Sequence, residues 1–184
     1  MSHVEPRWDF HPVPDPVAGL EAAYQGIHFE LLAYGNPRLN ERLEVRAEGP
    51  ETREGWHRVL LVTPWTAMRV YLPQDPDHPS GLPGPESLEV EDDGRVVPGC
   101  EVELVFDGVA RALEVAHDLR VGHHLTETLL PSMGAFQDTE EALGWARERA
   151  AHRDGQEAPA RAAAPAAPRR VSRRDLFRGL LGRR

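Results

Sequence analysis

Nine histidines and thirty carboxylates make metal binding the first chemistry to weigh in this 184-residue chain. His117 and His123 stand six residues apart, so on one continuous strand they would share a face and begin a nickel or zinc site. The adjacent pair His123-His124 would instead point to opposite faces, which makes joint ligation of one ion difficult. His28, His57 and His78 stand alone, with no second histidine near them in sequence. All of these histidines read equally well as surface or partly buried structural residues. The stretch Glu86–Asp93 gathers five carboxylates, a pattern common in solvated loops and also open to a cation. Cys100 is the single cysteine and follows a Pro-Gly turn. As a nucleophile it would need a neighbouring base, and the sequence identifies none. One thiol also excludes an internal disulfide framework and a Cys-rich zinc or iron–sulfur site. The chain lacks G-x-S-x-G, P-loop, G-x-G-x-x-G and H-E-x-x-H motifs. No catalytic residue, metal ligand or cofactor is therefore assigned.

Two other features point to binding. Thr63-Pro64-Trp65 ends an apolar run abruptly and sets an indole at the end of a strand. That indole is either core packing or an exposed aromatic anchor of the kind that carries interface energy. Ser172-Arg173-Arg174-Asp175-Leu176-Phe177-Arg178 is similar to the S-R-R-x-F-L-K core of a twin-arginine export signal, with Leu-Phe in place of Phe-Leu. Only Gly179–Gly182 follows before Arg183, so the segment is read as a basic tail or as an imitation of a signal, not as a signal that acts on this chain.

Charge patterning agrees with that division. All 21 basic residues are arginine, and from Arg161 onward eight arginines face one aspartate. The chain as a whole carries −9, so the first 160 residues carry −16. An acidic body repels phosphate, which argues against nucleic acid as a partner. It suits an arginine-bearing ligand, including the chain's own tail. No apolar run reaches the roughly 20 residues needed to span a bilayer, and MSHVEPRWDFHPVPDP lacks the form of a secretory signal. The protein is expected in the cytoplasm, without stable membrane insertion.

The elements that would position these residues can be read from periodicity. Residues 1–14, with their prolines and histidines, are expected to be a flexible N-terminus. Asp15-Pro16 forms a helix start, an acid N-cap before a first-turn proline. Leu20, Tyr24, Ile27, Leu31 and Leu32 then recur at helical spacing until Gly35-Asn36-Pro37. Strands are expected at Arg42–Glu48, Trp56–Thr63, Ala67–Leu72, Leu88–Glu91, Glu101–Phe106 and Ala112–Val121, with a proline-rich loop over Pro73–Ser87. Strands in succession with no helices between them favour an antiparallel sheet. Asp138 caps a second helix that runs to about Ala151, with acids in its first turn and bases near its end. The expected organisation is an α+β domain over residues 15–152, with an antiparallel sheet of about five to six strands flanked by an N-terminal and a C-terminal helix. An Ala/Pro-rich linker follows over 153–170, then a disordered basic tail over 171–184.

Taken in order, Asn36-Pro37-Arg38-Leu39, Leu43-Glu44-Val45-Arg46-Ala47, Val59-Leu60-Leu61-Val62-Thr63-Pro64-Trp65 and Leu72-Pro73 resemble a known family. This is the HybE/HupJ-type [NiFe]-hydrogenase assembly chaperones, which carry N-P-x-L, V-E-A-x-G and L-V-T-P-W-F-M-N-L-x-L-L-P. The likeness continues at Val97-Pro98-Gly99, Leu129–Met133 with Phe136, and the terminal S-R-R-x-L-x-R-G, so it spans about residues 18–180. Departures fall at Thr66-Ala67-Met68-Arg69 and at Glu127–Met133, where a family cysteine is lost and a proline shifted.

The resemblance implies an α+β fold and a cytoplasmic protein without cofactor or catalytic residue. Such a protein contacts hydrogenase large or small subunit precursors before export and helps to hold back the twin-arginine-bearing small subunit. On that basis the expected partner-binding residues are Asn36, Pro37, Thr63, Pro64, Trp65, Met68, Pro131, Ser132, Met133, Arg173 and Arg174. The envisaged surface is apolar, lies near Trp65, Met68 and Met133, and is fringed by acid. The rival expectation is a nickel or iron carrier in the same maturation process, built on His117 and His123.

Overall fold

The computed structural model describes residues 4–155. Its first helix, α1 (Pro16–Ala33), begins where the sequence puts it. Asp15 Oδ1 accepts from the Ala18 N–H at 3.0 Å, and Pro16 has no N–H to leave unpaired. The helix ends at Gly35, whose φ of +64° lets the Asn36 N–H turn back to Leu31 O at 3.1 Å.

Six strands follow: β1 (Arg46–Arg53), β2 (Trp56–Val62), β3 (Ala67–Pro73), β4 (Glu101–Phe106), β5 (Val109–Asp118) and β6 (Gly122–Leu130). Two hairpins close through residue pairs that both take positive φ, Glu54-Gly55 and Asp107-Gly108, which matches the twist of the flanking strands. The sheet is antiparallel throughout, in the order β1-β2-β3-β6-β5-β4. Two three-stranded meanders are thus joined by pairing β3 to β6. The last helix, α2 (Thr139–Gly155), is capped by Asp138, whose Oδ1 accepts from the Glu141 N–H at 2.8 Å. The α+β class and the flanking helices are as the sequence indicated.

Strand alternation sorts side chains onto two faces. On one face α1 lies over β1–β3, and Leu20, Ala23 and Tyr24 bury against Val59, Leu61, Met68, Val70 and Leu72. On the other, α2 packs Ala142, Leu143 and Ala146 onto Val62, Ala67 and Leu129. Trp56, Tyr71, Leu104, Leu113 and Leu125 form a second apolar cluster farther along this face.

A charged belt runs between those two clusters, because Arg58, Arg69 and Glu127 occupy the intervening inward positions of β2, β3 and β6. Asp154, in the last turn of α2, accepts from Arg69 through both oxygens at 2.9 Å and from Arg111 Nη2 at 2.7 Å. Arg153 Nη1 donates to Glu127 Oε1 at 3.0 Å. Burial alone would raise the Asp154 carboxyl pKa, but the Arg69 hydrogen bond and the charges of Arg69, Arg58 and Arg111 outweigh it and hold the value below the ordinary one.

Four expectations are corrected. Residues 4–14 are not loose: they strap across one end of the sheet. Arg7 N–H donates to Gly94 O at 2.8 Å, His123 N–H donates to Asp9 O at 2.7 Å, and Trp8 Nε1 donates to Pro83 O at 3.2 Å. Gly122 permits this approach, since a Cβ there would stand 2.2 Å from Asp9 O. The expected strand at Leu88–Glu91 is reduced to a bridge between Val90 and Val96, next to a single 3-10 turn at Pro85–Ser87. The stretch Ala112–Val121 is not one strand: β5 ends at Asp118, the chain turns, and β6, which no hydrophobic pattern announces, begins at Gly122. Finally, α2 runs on to Gly155, so Arg153 and Asp154 belong to the folded unit and not to a linker. The expected tail over 171–184 and most of the linker lie outside the described residues.

Candidate functional site

The tight turn after β2 is built by Thr63. Its Oγ1 donates to Thr66 O at 2.9 Å and accepts from the Thr66 N–H at 3.0 Å, while the Thr63 N–H donates to Thr66 O at 2.9 Å. Asn40 N–H donates to Pro64 O at 2.8 Å, and Thr66 Oγ1 donates to Leu130 O at 2.9 Å, so the turn is tied on both sides. This fixed turn holds Trp65 half-buried against α1. The indole stacks on Tyr24 with ring centroids 6.4 Å apart and lies 6.1 Å from the His28 ring. Tyr24 is fixed in turn from the sheet. His124 Nδ1 lies 3.1 Å from Gly122 O and must carry the proton, so its Nε2, 2.9 Å from the Tyr24 hydroxyl, accepts.

Beside the indole a groove of about 320 Å³ opens on the sheet face that α1 only partly covers. Tyr24, Ile27 and Leu31 form its helical wall, and Trp65 and Met68 its end. Thr126 and Thr128 of β6 with Ala116 and Glu114 of β5 make the floor. Asn36, Arg38, Pro98 and Pro131 stand around the mouth. An acidic rim adjoins it. Glu101 pairs with Glu114 across β4 and β5, and both Glu101 and Glu103 are exposed on this same face. Apolar side chains continue past the groove at the end of α1, where Phe29 is 62% and Tyr34 68% exposed.

The structure divides the expected binding residues. Asn36, Trp65, Met68 and Pro131 meet at the groove, and Ser132 and Pro37 are exposed on the loops that bear Pro131 and Asn36. Thr63 and Pro64 are buried and shape the turn without facing outward. Met133 is corrected outright: at 0% exposure it belongs to the core beneath α2 and takes no part in a surface. Arg173 and Arg174 lie outside the described residues. Sequence reasoning missed Thr126, Thr128, Glu114 and Ala116. Ile27 and Leu31 were legible only as part of the helical repeat of α1, which does not tell a groove wall from core.

The histidine constellation resolves into structural roles. His117 and His123 do share a face, as cross-strand partners with ring centroids 5.0 Å apart. Yet both nitrogens of His123 are committed: Nδ1 accepts from the Asp9 N–H at 2.7 Å and Nε2 donates to Val96 O at 3.0 Å. Burial pushes its pKa down to about 4, which keeps the ring neutral. His117 Nε2 is bound to Asp9 Oδ2 at 2.9 Å. Among the described residues no three His, Cys, Asp or Glu side chains are grouped to enclose a metal ion.

Fold and groove define a class: an α+β protein with an open antiparallel sheet and an apolar groove on the face that α1 only partly covers. The sequence pattern of "[NiFe]-hydrogenase assembly, chaperone, HybE" matches residues 15–179, and the chain belongs to that family. It is 30% identical over 113 residues to a "Probable rubredoxin HupJ" of Rhodobacter capsulatus, a match that takes in 60% of this chain and 35% of that protein. The chain thus spans about a third of that relative's length. The solution structure of HybE from Escherichia coli has the same fold, with a TM-score of 0.50 at 15% identity, over 94% of this chain and 99% of that one. No helix among the described residues is long and apolar enough to cross a membrane.

Proposed function

We propose that this protein is a non-catalytic, cytoplasmic chaperone that captures a hydrogenase subunit precursor before export, by seating an apolar, arginine-bearing segment in the groove beside Trp65. The twin-arginine signal of the small subunit is the favoured ligand. The observation that carries the reading is the groove itself: an apolar trough of about 320 Å³ that ends on a half-buried indole held by a rigid turn. Rigid aromatic anchors in partly desolvated pockets concentrate binding energy. The rim of Glu101, Glu103 and Glu114 supplies the opposite charge for arginine, which speeds encounter and sets orientation. Family membership supports the assembly role, and the acidic body supports a basic ligand.

The rival reading as a nickel or iron carrier has no such observation behind it, since His123 has no free nitrogen to offer. The test is fluorescence anisotropy with a labelled twin-arginine signal peptide from a small-subunit precursor. Trp65→Ala should weaken binding by about thirtyfold, the loss of a hot-spot residue worth about 2 kcal/mol. Its circular dichroism and urea transition should remain those of a folded domain. Unchanged affinity in a folded Trp65→Ala protein would overturn the proposal.

A further inference from the structure

We infer that the chain's own segment Ser172–Leu181 docks in the groove beside Trp65 and competes there with the incoming ligand. The inference rests on the groove being a binding site, but not on what else it binds.

Chemistry comes first. The segment sets Arg173, Arg174 and Arg178 among Leu176, Phe177, Leu180 and Leu181. The groove offers Ile27, Leu31 and Trp65 to the apolar side chains, and the exposed Glu101 and Glu103 beside it face the guanidinium groups. The first 160 residues carry −16 and the last 24, from Arg161, carry +7, so attraction between them is built into the sequence. The family pattern that the chain matches extends to residue 179 and therefore includes the arginine pair.

Geometry allows the contact. Arg153 and Asp154 are clamped on the face opposite the groove, against Glu127, Arg69 and Arg111. Glu127 lies between Thr126 and Thr128, which form the groove floor. The departure point of the segment is thus about one sheet thickness from the groove, and β6 is two strands from the free edge at β4. Rounding that edge takes a path of about 20–30 Å, given strands about 4.8 Å apart and facing layers about 10 Å apart. Sixteen residues separate Gly155 from Ser172. A connection of that length reaches about 20 Å as a coil and about 50 Å as an extended polyproline strand. Tethering at this range gives an effective concentration of about 1 mM. A segment that binds in trans with a dissociation constant near 100 μM would then fill the groove in about nine molecules of ten and weaken a competitor about tenfold.

Two measurements on the full 184-residue chain test this. A nitroxide at Leu176→Cys in a Cys100→Ser background should broaden the NMR signals of the Trp65 indole, Thr126 and Thr128 far more than those of the Glu54-Gly55 turn at the other end of β2. The variant Arg173→Glu/Arg174→Glu/Phe177→Ser should bind the twin-arginine peptide about tenfold more tightly than the parent chain. Broadening without any peptide binding would uphold self-docking and remove the signal-peptide reading. Peptide binding with no broadening at the groove would overturn self-docking and leave the proposed function standing. Equal peptide affinity in parent and variant would also count against competition.

Discussion

Arg69 and Glu127 on one face of the sheet, and Met68, Thr126 and Thr128 on the other, come from the same two neighbouring strands one residue apart. The first pair is buried beneath α2 in a net of charge-assisted hydrogen bonds that also takes in Asp154, Arg111 and Tyr71. The second set borders a groove that α1 leaves open. Both faces mix polar and apolar residues, so composition does not separate them. What separates them is whether a helix covers the polar groups. On the α2 face the charges are spent on one another and on anchoring the end of a helix. On the α1 face the groove is bordered by Thr126, Thr128, Asn36 and Arg38, with Glu101 and Glu103 exposed beside it, and α1 leaves this part of the sheet uncovered. Both faces carry core, but the α2 face is closed and the α1 face keeps a groove.

The comparison is broken most directly by removing the hub of the closed face. Arg69→Ala would leave Glu127 and Asp154 with a much reduced positive field in a buried site. Deleting one partner of a buried ion cluster costs about 3–5 kcal/mol. Urea denaturation should show a loss of that size. A loss below about 1 kcal/mol would mean that the net is ornamental and that the two faces do not differ in the way described.

His123 gives the next largest effect and a pH signature. The folded protein holds the imidazole neutral down to about pH 4, against 6.5 in an open chain. Between those values the unfolded state binds the extra proton, so stability falls as pH falls from about 6.5 to 4 and is flat in this respect above 6.5. Two and a half units correspond to about 3 kcal/mol from this residue. An NMR titration should place the His123 midpoint near 4. A midpoint near 6.5 would contradict the sealed environment made by Val96, Asp9 and Trp8.

The closed face and the open one were not equally legible in the sequence. Strand β2 carries an apolar run, and β3 and β4 alternate in hydrophobicity, so their limits could be read from local pattern alone. The capped starts of both helices could be read for the same local reason. Strand β6 could not. Its His123-His124 and Thr126-Glu127-Thr128 place polar groups on both faces, so no alternation of hydrophobicity announces it. The groove suffers from the same gap. Trp65, Asn36 and Pro131 were recoverable from motif, but their floor depends on β3 pairing with β6, which is a long-range fact. Met133 was placed on the surface through the family motif, which does not tell surface from core. Only the fold shows that Asn40 Nδ2 bonds Met133 O and Phe136 O, at 3.0 and 2.8 Å, and draws that loop beneath α2. The N-terminal strap was hidden in a similar way, since its value lies in covering Trp56 and His123 far away in sequence.

Filling the open face should affect binding and spare the fold. Thr128 is half-exposed on the groove floor, so Thr128→Trp places a large ring in the trough without entering the core. Surface substitutions of this kind change stability by no more than about 0.5 kcal/mol. Affinity for the twin-arginine peptide should fall at least tenfold. Intact affinity would move the docking site elsewhere, for example to Phe29 and Tyr34 at the end of α1.

The smallest expected effect sharpens the comparison furthest, because it separates charge from shape on the open face alone. Glu101 and Glu103 are exposed on the edge strand β4 and bear on the groove only through their field. Reversing both, Glu101→Arg/Glu103→Arg, should leave thermal unfolding unchanged, since exposed charges contribute little to stability. Association with an arginine-bearing peptide should slow by a few-fold while dissociation stays nearly constant, as rim charges act on encounter more than on the seated complex. At 0.15 M salt the Debye length is about 8 Å, so raising salt toward 1 M should bring parent and variant together. Stopped-flow traces at several salt concentrations would check this. A change confined to dissociation and insensitive to salt would place these carboxylates in direct contact with the ligand and extend the groove to the edge of the sheet.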